Sequence, residues 1–447
     1  MNEHVSKAVL GRYRVNPESV DDRRYVEEHL GSCAECEQLL EDMRAVEEGL
    51  GDPDSWVAFV DDPRVAALKC LAEIGPTEDA EAESLLADFD NASAARFAWE
   101  DLPNDVRFHT GGAVRALCKR ANGMCERDPR YALALAKAAG RIADLLPAGR
   151  YPAKALHEWR GQAHKECANA LYRLGQFPKT LEALDAAEAE FGQLGHVGIG
   201  QVAILYVRAL VLYAQDHLRR AEELTELSAN AALHLGDKDR FMRARHLQGD
   251  IQFERQDFRG AAAIFEDILR YGKEIGSSIW IARESLTLGN CHIELRNLRD
   301  ARRLLDEALR CFMQLGFDAE VTRTRWAFAR LVFAESATSD GIERMWSTVA
   351  ELTKLEMLID AAIAAVDLAE MLFTTNRARQ IPKLLDGVVE TFTKAGKLTG
   401  ALSALAYVKE ATAAGKLTKR VARDVQRFLS RTEYQPQLIF VPPPPEV

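Results

Sequence analysis

Gln256-Asp257-Phe258-Arg259-Gly260-Ala261 and Arg296-Asn297-Leu298-Arg299-Asp300-Ala301 lie 40 residues apart and share one pattern: a polar pair, an apolar residue, two further residues, then alanine. Asp216-His217-Leu218-Arg219-Arg220-Ala221 repeats it one period earlier. A second register of small residues runs through Ala209, Gly249, Gly289, Ala329 and Ala369, each 40 from the last. Small side chains at a fixed period let paired helices approach closely, and a fixed period of this length signals stacked supersecondary units. The first register extends upstream to Gln176-Phe177-Pro178-Lys179-Thr180, shifted by one, and to Pro129-Arg130-Tyr131-Ala132. Downstream it weakens through Gly341, Ile381 and Val421. About eight helical hairpins are expected. No single hairpin buries its apolar face alone, so neighbours must stack.

A helix carrying a small residue, a polar turn leading to an apolar residue, and a second helix with an early alanine resemble the tetratricopeptide repeat (TPR), over roughly residues 110–432. Units near 40 residues replace the usual 34. Gln193-Leu194-Gly195, His234-Leu235-Gly236 and Gln314-Leu315-Gly316 stand where that repeat carries its unit-ending prolines. The resemblance implies a right-handed α-solenoid with a concave binding face, in the longer variant seen in signalling and transcription-regulator arrays.

The N-terminus poses a different problem. Glu28-His29-Leu30-Gly31-Ser32-Cys33-Ala34-Glu35-Cys36 holds a His-x3-Cys-x2-Cys cluster, and His4 is the only other His or Cys in the first 50 residues. Zinc favours four tetrahedral Cys or His ligands, and a Cys-x2-Cys pair at a helix start turns two thiolates to one side. His29 is expected to end a helix with Gly31 as its stop, and Ser32 to cap the helix that begins at Cys33. Three short helices are read over residues 4–50: one through Val5, Val9 and Leu10, a second capped by Asn16 with Pro17 at its first position, and a third presenting Leu39, Leu40, Met43 and Val46. So small a core needs a staple such as Zn2+. His4, His29, Cys33 and Cys36, with the lead-in Arg24-Tyr25-Val26-Glu27-Glu28-His29-Leu30, resemble the zinc-binding domain of anti-sigma factors over about the first 50 residues. That resemblance implies capture of an extracytoplasmic-function sigma factor, away from RNA polymerase. Many members continue into a membrane span, and here none follows.

The whole reading is all-α: a zinc-stapled three-helix domain at 1–50, an acidic helical connector at 51–108, a TPR-like array at 109–432 and a proline-rich tail at 433–447. In the connector, Arg64 to Ile74 and Glu78 to Phe89 look helical, while Trp56, Phe59, Phe97 and Trp99 argue against full disorder. Net charge is −11, yet residues 1–108 carry 26 acidic and 10 basic side chains, and the remainder 42 acidic and 47 basic. An acidic head on a weakly basic array suits basic partner surfaces, its own array, or plain solvated faces. With pI ≈ 5.6, direct nucleic-acid binding is not expected. Neither a leader peptide nor a membrane span is read; Val197 to Ala214, the most apolar window, falls on the repeat period and contains Gln201 and Arg208. A cytoplasmic setting is expected, with the six cysteines outside the cluster as small buried hydrophobes.

Arg243, Arg283 and Arg323 stand 40 apart on the first helices of three units. The TPR resemblance puts that column in the groove beside His246, Asp250, Asn290, Trp326 and Arg330. Stacked guanidiniums hold carboxylates through bidentate pairs, though a solvated face with i,i+4 partners explains them equally. His157, His164 and Cys167 share one helix and read as packing residues. No phosphate loop, Ser-His-Asp pattern or His-Glu-x-x-His occurs, so no catalytic residue is assigned. The expectation is a protein-binding regulator: a zinc-dependent head for a sigma factor, and an array that binds or senses a second protein or peptide. The rival is an adaptor in a multiprotein complex whose zinc domain is only structural.

Overall fold

The computed structural model describes residues 4–5, 9–10, 13, 23–34, 36–41, 63–92, 99, 101–125, 127–147, 149–195, 198–336, 339–394, 399–432, 435 and 438–442. Among these residues every regular element is a helix and no strand occurs. None is long and apolar enough to cross a membrane. Contacts divide the chain into two compact units, Met1–Glu81 with Pro147–Pro152, and Ala82–Leu146 with Ala153–Val447.

In the first unit, α1 (Arg23–Leu30) buries Val26 and His29. Val5, Leu10, Val26 and Cys36 form its small core, with Leu30 and Leu39 packed against them. Asn16, Pro17, Met43 and Val46 lie outside the described residues. The expected cap at Ser32 is corrected: its Oγ donates backwards to the carbonyls of Glu28 and His29, closing α1. Cys33 takes the capping position instead, its carbonyl accepting from the N–H of Glu37. The two helical pieces read in the connector are one helix, α2 (Pro63–Ala92), continuous through Pro76. Glu78 on α2 is buried and accepts from Arg150 at 2.5 Å and Tyr151 at 2.7 Å.

Among the described residues, the second unit stacks eight hairpins. They are α3 (Gly111–Met124) with α4 (Pro129–Leu145), α5 (Ala153–Arg173) with α6 (Phe177–Gly192), α7 (Ile199–Ala214) with α8 (Leu218–His234), and α9 (Lys238–Glu254) with α10 (Phe258–Glu274). Then follow α11 (Ser278–Glu294) with α12 (Leu298–Leu315), α13 (Asp318–Ser336) with α14 (Ser339–Lys354), α15 (Leu358–Thr374) with α16 (Ile381–Lys394), and α17 (Thr399–Ala413) with α18 (Lys419–Thr432). Both sequence registers explain the stacking. Ala209, Gly249, Gly289, Ala329 and Ala369 are all buried, as are Ala221, Ala261 and Ala301 early in the second helices. At Gly249 the helices meet so closely that a Cβ would lie 2.5 Å from the ring of Phe265. At Gly289 it would lie 2.7 Å from Leu305.

The turns repeat as strictly as the helices. Gly236, Gly276, Gly316 and Glu356 hold left-handed φ of 59 to 70° between hairpins, while Asp216, Gln256 and Arg296 hold 61 to 66° inside them. At each, the next residue's N–H reaches five residues back, as Asp257 does to the carbonyl of Gln252 at 2.9 Å, the pattern of a Schellman stop. That same residue then opens the following helix: the carbonyl of Asp257 accepts from Ala261, and its side chain from Gly260. One residue thus ends a helix and starts the next.

Candidate functional site

His4, His29, Cys33 and Cys36 converge although 32 residues separate the first from the last. Sγ of Cys33 and Cys36 lie 3.4 and 3.5 Å from Nδ1 of His4, and one donor atom from each of the four residues falls within 4.8 Å of the others. Ligands on a tetrahedral zinc, with bonds of about 2.0 to 2.3 Å, stand roughly 3.3 to 3.8 Å apart. Nε2 of His29 is buried without a hydrogen-bond partner, a cost of about 1–3 kcal/mol that a metal bond would remove. The backbone N–H of Cys36 draws the Cys33 thiol down to about 7 against partial desolvation, and the neighbouring side chains of Cys36, His4 and His29 add to it. Low thiol pKa at a helix start favours the thiolate that metals bind. Donor set, spacing and the orphaned nitrogen all fit zinc. Among the described residues no other group of His, Cys, Asp or Glu meets the geometry for an ion.

In the array, the residues expected to line the groove are enmeshed in carboxylates. Nε of Arg243 binds Asp239 at 2.8 Å, and Trp280 also donates to that aspartate. Arg323 binds Asp360 at 2.9 Å and Glu320 at 2.7 Å. Arg283 is half-buried on α11. Arg330 is brought together with Asn290 at 3.1 Å and Glu294 at 2.7 Å, and Trp326 donates to Asp367 at 2.7 Å in the same network. His246 stands apart from it. Its Nδ1 is 2.8 Å from Oε1 of the fully buried Glu284, and its Nε2 3.5 Å from Asp250. Burial lowers the His246 pKa, but Asp250 and Glu284 outweigh that and hold it at about 9; burial pushes Asp250 up to about 6. His157 pairs with Glu190 at 2.7 Å, and burial raises the thiol of Cys167 to about 12, consistent with packing roles.

The sequence reading missed the occupant of this face. α18 returns across the array, and its cations meet the C-terminal ends of the first helices of three successive hairpins. Lys419 and Arg423 bind Glu294 at 3.1 and 3.4 Å; Arg427 binds Glu254 at 3.1 Å and its carbonyl at 2.6 Å; Arg431 lies 3.7 Å from Asp216. Arg423 also donates to Gln256 at 2.7 Å, Gln426 to Asp367 at 2.6 Å, and Gln435 to the carbonyl of Ala214. The opposite side of α18, with Ala422, Val425 and Leu429 fully buried, joins the core built by α15 and α17. Glu294 has a side chain only 8% exposed. Burial raises its pKa, but Arg330, Lys419 and Arg423 together hold it below the usual range. A cavity of ≈ 680 Å³ remains beside the helix, bounded by Phe253, Trp326, Arg330, Asp367, Arg423 and Gln426. Two signals were available: Glu254 and Glu294 stand 40 apart, and Lys419, Arg423, Arg427 and Arg431 four apart.

No family model matches the chain, and no curated protein matches it in sequence. Among solved structures it is similar to a Rap protein complexed with Competence and Sporulation Factor, with TM-score 0.54 and 9% identity over 71% of this chain and 86% of that one. Aspartyl phosphate phosphatase F from Bacillus subtilis matches with TM-score 0.49 and 12% identity over 88% of this chain and 96% of that one. The apo form of the quorum sensor NprR from B. thuringiensis matches with TM-score 0.45 and 13% identity over 72% of this chain and 99% of that one. Likeness to the Rap protein at this identity shows the fold: the chain carries a TPR-like α-solenoid of helical hairpins.

Proposed function

We propose that the chain is a protein-binding regulator of transcription, with residues 1–50 as a zinc-dependent head for a sigma factor and the array at 109–432 as the surface for a second protein or peptide. The observation that carries it is the convergence of His4, His29, Cys33 and Cys36, whose lead-in resembles the anti-sigma domain. With all four positions of a tetrahedral zinc filled by protein, none is open for substrate, so the metal would act by holding the head in shape. Control would be steric, through helices packed on the captured factor. The array's part draws support from its fold neighbour, crystallised with Competence and Sporulation Factor.

The test is a pull-down from the source cell with the unaltered chain beside a Cys33→Ser, Cys36→Ser variant, with metal content measured on both. A sigma factor recovered only with the zinc-loaded chain supports the reading. Recovery of the same non-sigma partner by both assigns binding to the array and leaves zinc a structural part.

A further inference from the structure

We propose that α18 is a resident stand-in for a basic amphipathic helix of a partner protein, which takes its place on the row Asp216, Glu254 and Glu294. This rests on the reading of the array as a protein-binding surface and names the chemistry it accepts.

The row is a product of the repeat. Glu254 and Glu294 end the first helices of successive hairpins, and Asp216 sits in the turn inside the hairpin before them. Such residues recur along the stack, and a helix laid along it meets one per unit. α18 answers with Lys419, Arg423, Arg427 and Arg431, one cation per turn, so charges on one face track the carboxylates. Its cation–carboxylate contacts run from Lys419 to Glu294, 125 residues apart, to Arg431 and Asp216, at the ends of elements. Any helix with that spacing of cations, and an apolar side like Ala422, Val425 and Leu429, presents the same groups.

Removal of α18 takes away four cations and leaves Asp216, Glu254 and Glu294 with Arg330 as the neighbouring cation on Glu294. A nearly buried carboxylate cannot be stripped of its partners cheaply. The site therefore does not stand open; it changes occupants, and only a cationic helix is an adequate replacement. The cavity beside Arg423 and Gln426 gives an incoming side chain room to enter before α18 has left.

The probe is a fluorescent peptide of residues 419–432, titrated by anisotropy into the full chain. An Arg423→Glu, Arg427→Glu variant, whose own helix is repelled, is expected to bind it about tenfold or more tightly than the unaltered chain. Adding Glu254→Arg and Glu294→Arg swaps the charges, reseats the resident helix and returns peptide binding to the low level. Equal affinity of the first variant and the unaltered chain, or undiminished binding by the swapped one, overturns the proposal. Should the first variant lose its helicity, hydrogen exchange on the unaltered chain decides. Opening of 419–432 separately from 358–374 supports a replaceable helix, and joint opening makes α18 a fixed part of the fold. The pull-down above scores array partners independently, so a failed peptide result does not touch the broader reading.

Discussion

Alanine in place of Gly249 on α9 should destabilise the array, although alanine is the better helix former. The added methyl would stand 2.5, 2.6 and 3.1 Å from three ring carbons of Phe265, where ordinary contact needs 3.4 Å or more. The ring is 1% exposed and lies among Met242, Ile268, Leu288 and Leu304, all buried, so it cannot swing into solvent. Overpacking of this kind costs about 1–3 kcal/mol, and the tightness of three contacts argues for the upper half. The gain in propensity returns roughly 1 kcal/mol. A net loss of about 1–2 kcal/mol remains. The control is Gly387→Ala, an exposed mid-helix position on α16 with nothing within 4 Å of the new methyl, which should gain up to roughly 1 kcal/mol. Thermal unfolding by circular dichroism reads the two shifts, and hydrogen exchange localises the first to α9 and α10. If Gly249→Ala melts at or above the unaltered chain, as Gly387→Ala should, the close approach of these helices is not what the small-residue register is for.

Three further outcomes are expected. The Cβ added by Gly276→Ala meets no atom within 4 Å, so its cost of about 1–2 kcal/mol, seen as a lower Tm, comes from the left-handed backbone alone. His246 is raised in the fold to about 9, so the stability it contributes is complete below its unfolded pKa of about 6.5 and lost as pH rises through about 9; the Tm gap between the unaltered chain and His246→Gln should shrink over that window. Glu166→Leu leaves the buried Lys165 without the carboxylate 2.7 Å away and should cost about 3–5 kcal/mol, while Lys165→Met together with Glu166→Leu should recover most of it in urea unfolding.

The array was legible because stacking demands the same small residue at the same place in each unit, and Ala209 through Ala369 display that demand directly. The His and Cys cluster was legible because the first 50 residues contain only four residues of those two types, and the fold brings all four together. Ser32 misled because a hydroxyl between two helices serves either, and only geometry shows that it closes α1. The partners of the groove arginines were only partly legible: Asp239, four residues before Arg243, is visible in sequence, but Asp360, 37 residues on from Arg323, is paired with it only by the stack. Least legible was the return of α18, since a contact across 173 residues, as from Arg427 to Glu254, leaves no local period.

The turns in which one residue closes a helix and opens the next carry no slack, and that governs how the gene for such a chain can change. A residue gained or lost inside a unit has no loop to absorb it and must turn the following helix by about 100° about its own axis, carrying its apolar side away from its neighbours. Substitutions can accumulate while the length of each unit stays fixed. Growth or shrinkage is confined to whole hairpins and to joints where the left-handed residues already depart from strict spacing: Gly175 to Asp216 is one residue longer than the common period, and Asn376 to Gly415 one shorter.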